Sequence, residues 1–372
     1  MLDSMNRDLI HLGAKPVQPV AAPSITSTAT VHNMRVAPSH APVPRVAAIG
    51  GGTGLPILLR GLADAMGPVA EAGRGARAAD TLSAIVTVTD DGGSSGRLRR
   101  DLSMLPPGDI RNCLAALAGN ARFERLLAHR FAAAETWLDG HAVGNLVLAA
   151  LAQMTGNFAE AVEELRRLLK ARGCVFPSTL EDVTLRGELE SGELVDGETA
   201  IVRNPAAIHR LALARPARPY PDALRALINA DVVVVGPGSL YTSVLPNLLV
   251  DGVASTLSAV ESVRVYVANL MTQPGETDGY TLDDHLRVLR EHTGRDLFDY
   301  VLINRTVPTE AQLERYRDEG AEWIPFDSFC ESAGTARLVA VDLLETSGSH
   351  VRHDPEKLAA AILRLAVGGR PS

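Results

Sequence analysis

Short apolar runs recur along this chain and alternate with stretches of helical period. Val46–Ile49, Leu82–Val88, Val232–Val235, Val263–Ala268, Tyr300–Ile303 and Leu338–Leu343 are mostly uninterrupted apolar segments. Unbroken runs, rather than alternating ones, are expected of parallel strands covered on both faces. Between them, Pro56–Ala65, Ile110–Leu117, Asn145–Gln153, Phe158–Ala171, Asp222–Ile228, Asp283–His292, Glu310–Glu319 and Pro355–Ala366 carry the spacing of helices. This strand–helix alternation predicts an α/β fold, a mostly parallel central sheet with helices on both faces. The stretch between the second and third core strands is too long for one crossover. Its first half reads helical and its second, Cys174 to Ala214, as short strands and turns, so a mixed α/β insertion is expected over about 97–225.

Residues 1–44 are of a different character from the rest of the chain. Pro16, Pro19, Pro23, Pro38, Pro42 and Pro44 punctuate Ala, Ser, Thr and Val without a period. Such a segment buries too little apolar surface to offset its ordering entropy, and a disordered tail is expected before a domain spanning 45–372.

Composition narrows the class. The 372 residues are 46% hydrophobic and 22% charged, with a net charge of −8. That balance suits a soluble globular protein and disfavours nucleic acid or an anionic membrane as partner, since both reward a basic surface. Cys113, Cys174 and Cys330 are widely separated and form no metal-ligand spacing, which points to a reducing, cytoplasmic setting. No apolar run reaches membrane-spanning length, and the N-terminus has no continuous apolar segment of the signal-peptide kind, so neither insertion nor secretion is expected.

The candidate chemistry lies where predicted strands end. Val46–Ile49 runs into Gly50-Gly51-Gly52-Thr53-Gly54, and Val232–Val235 into Gly236-Pro237-Gly238-Ser239 followed by Thr242. Each is a glycine turn between a strand and a helix, which aims backbone amides at the positive end of the helix dipole, a site for phosphate. The nicotinamide fingerprint is absent, because its third glycine falls on Leu55 or Ile57, and no lysine follows to make a P-loop. A merely structural turn would not need three adjacent glycines.

Asp90 and Asp91 leave the second strand for a Gly/Ser loop that reads as flexible. They could accept sugar or ribose hydroxyls, hold a divalent cation or act as a base; the bland alternative is an Asp-Gly surface turn. Asp109 reads as an N-cap, with Arg111 and Asn112 in the first helical turn after it. His141 and Asn145, four apart at another helix start, share a face. Asn269, Thr272 and Tyr280 lie in a long polar loop after a further strand, where Tyr280 could stack on a base.

Taken together, these stretches resemble the YvcK branch of the CofD-like (UPF0052) family, the gluconeogenesis factors. The matching strings are GGGTGLPILLRGL, TVTDDGGSSGRLRRDL, LPPGDIRNCLAAL, GHAVGNLVLAAL, PSTLEDVTL, VVVVGPGSLYTSVLPNLLV and NLMTQPGETDGYTLDDH, within about residues 45–325. Departures are small: Thr89 stands where the branch usually has Ala, and Arg305 where Asn is frequent.

The resemblance implies a Rossmann-like three-layer fold. It also implies a cytoplasmic regulatory protein that binds a UDP-sugar and affects cell shape and growth on gluconeogenic carbon. Gly51–Gly54 and Gly236–Ser239 would hold the diphosphate, Asp90, Asp91 and Asn112 the sugar or ribose hydroxyls, and Asn269, Thr272 and Tyr280 the base. Arg315 would contact the diphosphate. No cofactor is required in this reading; protein partners in cell-wall synthesis and a homo-oligomer are compatible with it. The CofD branch implies the alternative, a Mg²⁺-dependent phospholactyl transferase using a nucleotide-activated donor, with Asp90 or Asp91 on the metal or serving as base.

Overall fold

The computed structural model describes residues 43–67, 81–204, 206–325, 333–346 and 350–369. Apart from its last two residues, the expected N-terminal tail lies outside them, as does Cys330.

The chain runs from β1 (Val46–Gly50) through α1 (Gly54–Met66) to β2 (Leu82–Val86), α2 (Gly93–Leu102) and α3 (Gly108–Leu117). Next come α4 (Ala121–Ala128), α5 (Val143–Thr155), α6 (Phe158–Leu169), β3 (Cys174–Pro177), β4 (Leu185–Leu189), β5 (Leu194–Asp196), α7 (Glu198–Arg203) and β6 (Ile208–Leu213). After α8 (Pro221–Asn229) and β7 (Val232–Val235), a π-helical turn at Leu240–Val244 leads into α9 (Leu245–Leu248) and α10 (Val253–Ala259). The remainder is β8 (Val263–Val267), α11 (Leu282–Thr293), β9 (Tyr300–Asn304), α12 (Glu310–Asp318), β10 (Arg337–Val341) and α13 (Pro355–Gly368).

Seven strands form one parallel sheet in the order β10-β9-β8-β7-β1-β2-β3. Its central strands are buried along their whole length, which is why their sequences are unbroken apolar runs. Alternate residues of each strand feed two cores. Val46, Ala48, Ala84, Val86, Val232 and Val234 face α1, α3, α6 and α13. Ala47, Ile49, Ile85, Val233 and Val235 face α8, α10, α11 and the apolar side of a second sheet, three antiparallel strands ordered β5-β4-β6. The result is the expected three-layer α/β sandwich with a mixed insertion.

Two local expectations change. Cys174–Pro177, expected among the short strands of the insertion, pairs in parallel with β2 as an edge of the main sheet. The Gly/Ser stretch after Asp91, read as a flexible loop, begins helix α2 at Gly93. Glycine and serine weaken a helix intrinsically, but Ser94, Ser95 and Leu98 are buried there, and packing outweighs propensity.

β1 is central to the topology. The chain leaves it toward β2 on one side, and β7 lies on its other side, in register from Val46 opposite Val232 to Ile49 opposite Val235. This reversal is a topological switch point, where open α/β sheets leave a crevice beyond the strand carboxyl ends.

Candidate functional site

Because β1 and β7 are parallel neighbours, their two glycine turns emerge side by side at that crevice. They touch: a Cβ on Gly54 would stand 2.4 Å from the Pro237 carbonyl oxygen, so only glycine lets the turns close up. Gly51 is similarly constrained, its notional Cβ lying 2.6 Å from Asp109 Oδ2 and 2.8 Å from Thr87 Cγ2. A cavity of about 240 Å³ opens beside the junction. Thr53, Gly54, Pro237, Gly238 and Ser239 line it from the turns, and Asn269, Thr272 and Gln273 from the loop after β8. Its far wall combines Tyr316 of α12 with the segment Val351–His353.

Helix docking places that far wall. Gly61 in α1 has no Cβ to meet the Pro355 carbonyl, which packs directly on the helix, and Asp354 caps α13 by accepting from Glu356 N and Lys357 N. The residues just before the cap are thereby held against the α1 end of the crevice.

Side chains of the chain already engage amides of both turns: a carboxylate at the first and a carboxamide at the second. Gly52 N–H donates to Asp109 Oδ2 at 2.7 Å. Asp109 is therefore not the N-cap expected from sequence; Pro107 holds that place, and the aspartate reaches across to the first turn. Beyond the second turn, Glu276 accepts from the Tyr241 and Thr242 amides and, at 3.1 Å, from the Thr242 hydroxyl. Gly238 N–H donates to Asn269 Oδ1 at 3.3 Å, and Gln273 Nε2 to Ser239 Oγ at 2.5 Å.

These carboxylates lie under mutual repulsion and little water. Burial, reinforced by the charge of Asp90, pushes Asp109 up to about 6 despite the Gly52 hydrogen bond. Burial likewise raises Glu276 to about 7. Glu198, brought in by α7, is raised to about 9 by burial and then by Asp90, Asp109, Glu276 and Asp91. At neutral pH Glu198 is thus an uncharged O–H donor, and the group carries less negative charge than its composition suggests.

Other sequence candidates are placed differently. Asp90 Oδ1 accepts from Gly92 N–H at 2.8 Å and stays in the carboxylate group. Asp91 turns to α7, accepting from Thr199 N–H at 2.9 Å and from its hydroxyl at 2.6 Å. It borders a separate depression with Arg99, Arg100 and Arg203. Asn112 accepts from the buried Arg111 guanidinium. His141 and Asn145 do meet, both bonded at 3.0 Å to the Ser94 hydroxyl, in a buried knot away from the cavity lining. Tyr280 bonds Tyr241 through the two hydroxyls at 2.9 Å and packs edge-on to His285, also outside the lining. Arg315 has its side chain 49% exposed and lies 4.0 Å from Glu319. Its neighbour Tyr316, not Arg315, enters the cavity wall.

Sequence reasoning missed Glu198, Glu276 and the Arg352–His353 pair. Glu276 sits inside a loop already marked as polar; Arg352 and His353 had no signal beyond the Asp354-Pro355 helix start that follows them.

Among the described residues no three His, Cys, Asp or Glu side chains come together as a metal-binding group. The oxygen donors suit Mg²⁺ in kind, but Asp90 and Asp91 diverge and are each tied to chain donors. No helix among the described residues is long and apolar enough to cross a membrane.

The family described as 2-phospho-L-lactate transferase CofD matches residues 46–344. A putative gluconeogenesis factor from Thermotoga maritima is 40% identical over 326 residues, 87% of this chain and 99% of that protein. The gluconeogenesis factor of Bacillus subtilis is 40% identical over 325 residues, 87% and 98% of the two chains. A crystal structure of a Bacillus halodurans protein matches with a TM-score of 0.79 at 40% identity, covering 86% of this chain and 99% of that one.

Proposed function

We propose, from the premise that this chain belongs to the CofD family and is closely similar to its gluconeogenesis factors, that it binds a UDP-sugar and acts as a regulatory binding protein. One observation carries the reading: two glycine turns, far apart in sequence, abut at the switch point and share one cavity. The diphosphate lies at the first turn of α1, whose leading amides have no acceptor within the helix. Ser239 faces it from the second turn and Asn269 from the loop after β8. Arg352 is the cationic side chain in the lining and supplies the opposing charge. Each hydrogen bond to charged phosphate contributes about 1.5–3 kcal/mol. The regulatory output, in gluconeogenic growth and cell shape, comes from the kinship and not from the cavity. Calorimetric titration with UDP-GlcNAc, UDP-glucose and UDP tests the binding; no heat from any of them at millimolar ligand ends the reading.

The family's transferase chemistry gives a second reading, favoured by the shared group of Asp90, Asp109, Glu198 and Glu276. A carboxylate raised toward neutrality is suited to accept a proton from an acceptor hydroxyl. The acidic residues among those described do not make a metal-binding group as arranged. Product formed from a nucleotide-activated donor and a deazaflavin acceptor, and lost in Asp109→Asn, whose carboxyl is raised to about 6, supports this reading; unchanged substrates after hours exclude it.

A further inference from the structure

The depression that Asp91 borders is larger than the cavity at the glycine turns, about 800 Å³, and the two share no lining residue. α2 contributes Arg99 and Arg100 to it, and α7 contributes Thr199 and Arg203. Gly92 and Gly93 add only backbone, so nothing projects from that part of the lining to fill the space. α7 is also the helix that brings Glu198 into the carboxylate group.

The charges around this depression are not matched. Arg99 is committed to structure: its guanidinium donates to Asp182 Oδ1 at 2.8 Å, to the Val183 carbonyl at 2.5 Å and to the Thr89 carbonyl at 3.3 Å. Those bonds fasten α2 to the segment before β4 and satisfy Asp182. Asp91, the other carboxylate in the lining, accepts from the amide and the hydroxyl of Thr199. Arg100 and Arg203, both exposed, make no hydrogen bond or ion pair among the described residues. Two guanidinium groups from separate helices therefore line one depression with no carboxylate assigned to either.

We propose that this depression is a second ligand site, which takes the phosphate monoester of a small polyol. A carboxylate has two oxygens in one plane, enough for one guanidinium fork. Two forks carried on different helices suit the three terminal oxygens of a phosphate. The volume admits a sugar-sized ester, and Ser103 and Thr184 supply hydroxyls for its polyol part. The site goes beyond the nucleotide reading and does not depend on it.

The test is calorimetric titration of the full-length protein with glycerol 3-phosphate and glucose 6-phosphate, beside glucose and citrate. Low salt is used, where attraction between exposed charges is least screened. Expected is binding of at least one ester and none of glucose. The double variant Arg100→Ala/Arg203→Ala weakens that binding about tenfold or more, whereas Arg352→Ala, in the other cavity, retains it. Neither arginine has a partner to lose, so the double variant keeps the wild-type Tm; Arg203→Gln alone, a milder change, weakens binding in the same direction. No heat from either ester at millimolar concentration overturns the proposal, and citrate binding without ester binding overturns the phosphate class. Ester binding that survives loss of both arginines, or that is lost in Arg352→Ala, places the anion elsewhere and overturns the site. A protein that binds the esters but no nucleotide upholds this site and ends the nucleotide reading.

Discussion

Gly54→Ala puts opposing effects in direct competition. Gly54 opens α1, and alanine there gains helix propensity and loses less chain entropy on folding, together up to about 1 kcal/mol in its favour. Against this, the new Cβ would lie 2.4 Å from the Pro237 carbonyl oxygen, 2.8 Å from its carbon and 3.3 Å from Gly238 N. All are backbone atoms, and none belongs to a side chain that can swing aside. Restoring ordinary contact requires the turns to part by somewhat under 1 Å, but both leave strands locked in register, Ile49 beside Val235. Overpacking of this kind costs about 1–3 kcal/mol, so strain wins and stability falls by roughly 1–2 kcal/mol. In a domain of this size that is a few degrees in Tm, at about 2–4 °C per kcal/mol. Binding suffers more, because the displaced elements are those proposed to hold the diphosphate. Losing one charge-assisted hydrogen bond weakens Kd by roughly one to two orders of magnitude. Gly173→Ala is the control: its Cβ would meet the Leu82 carbonyl at 2.8 Å, at the opposite end of the sheet, so Tm falls and UDP-sugar affinity does not. Thermal melts and calorimetry on both variants suffice. A Gly54→Ala protein with wild-type Tm and wild-type affinity would refute the joined-turn geometry.

Arg352→Ala is expected to weaken binding of a UDP-sugar about tenfold or more, whereas Arg315→Ala, outside the lining, leaves it within about twofold. The reverse pattern in calorimetry would return the diphosphate contact to Arg315. Glu276 binds its proton more tightly folded than unfolded, at about 7 against an ordinary 4.5, so its contribution to stability declines as pH rises through that window. Glu276→Gln removes that penalty, and the Tm difference between variant and wild type should grow in the variant's favour from pH 4.5 to 8; a flat difference counts against burial as the cause. The Arg264–Asp299 ion pair, at 2.7 Å with both side chains 9% exposed, joins β8 to the start of β9. Asp299→Ala strands a buried guanidinium and should cost about 3–5 kcal/mol in urea unfolding.

Much of this architecture can be read directly from the chain. The six apolar runs became strands, and the eight helices expected from periodicity formed within about two residues of their expected ends. Capping explains the sharpness of several boundaries: Thr281 with Asp284, and Thr309 with Gln312, form reciprocal capping boxes at α11 and α12. Cys174–Pro177 was assigned to the insertion because four residues between a helix end and a turn carry no sign of which sheet they join. Helix α2 was hidden because Gly93-Ser94-Ser95-Gly96 has poor intrinsic propensity, and its burial cannot be seen from its neighbours in sequence. In the candidate site, the glycine turns and Asn269, Thr272 and Ser239 were legible, because glycine and short polar residues after a buried strand have few other reasons to be there. Tyr280, an aromatic marked in the same polar loop, lies against Tyr241 and outside the cavity lining, a placement that its neighbours in sequence do not reveal.

By itself, the sequence determined the layered α/β class and the two turns, since both rest on interactions within a few residues: backbone sterics, side-chain period and capping. Only the tertiary structure decided that β7 lies beside β1, that Asp109 takes the Gly52 amide of the first turn and Glu276 the amides just beyond the second, and that Arg352 and His353 enter the cavity lining. Those outcomes depend on which distant surfaces exclude water from one another, and desolvation is a property of the packed whole that no local stretch of residues can specify.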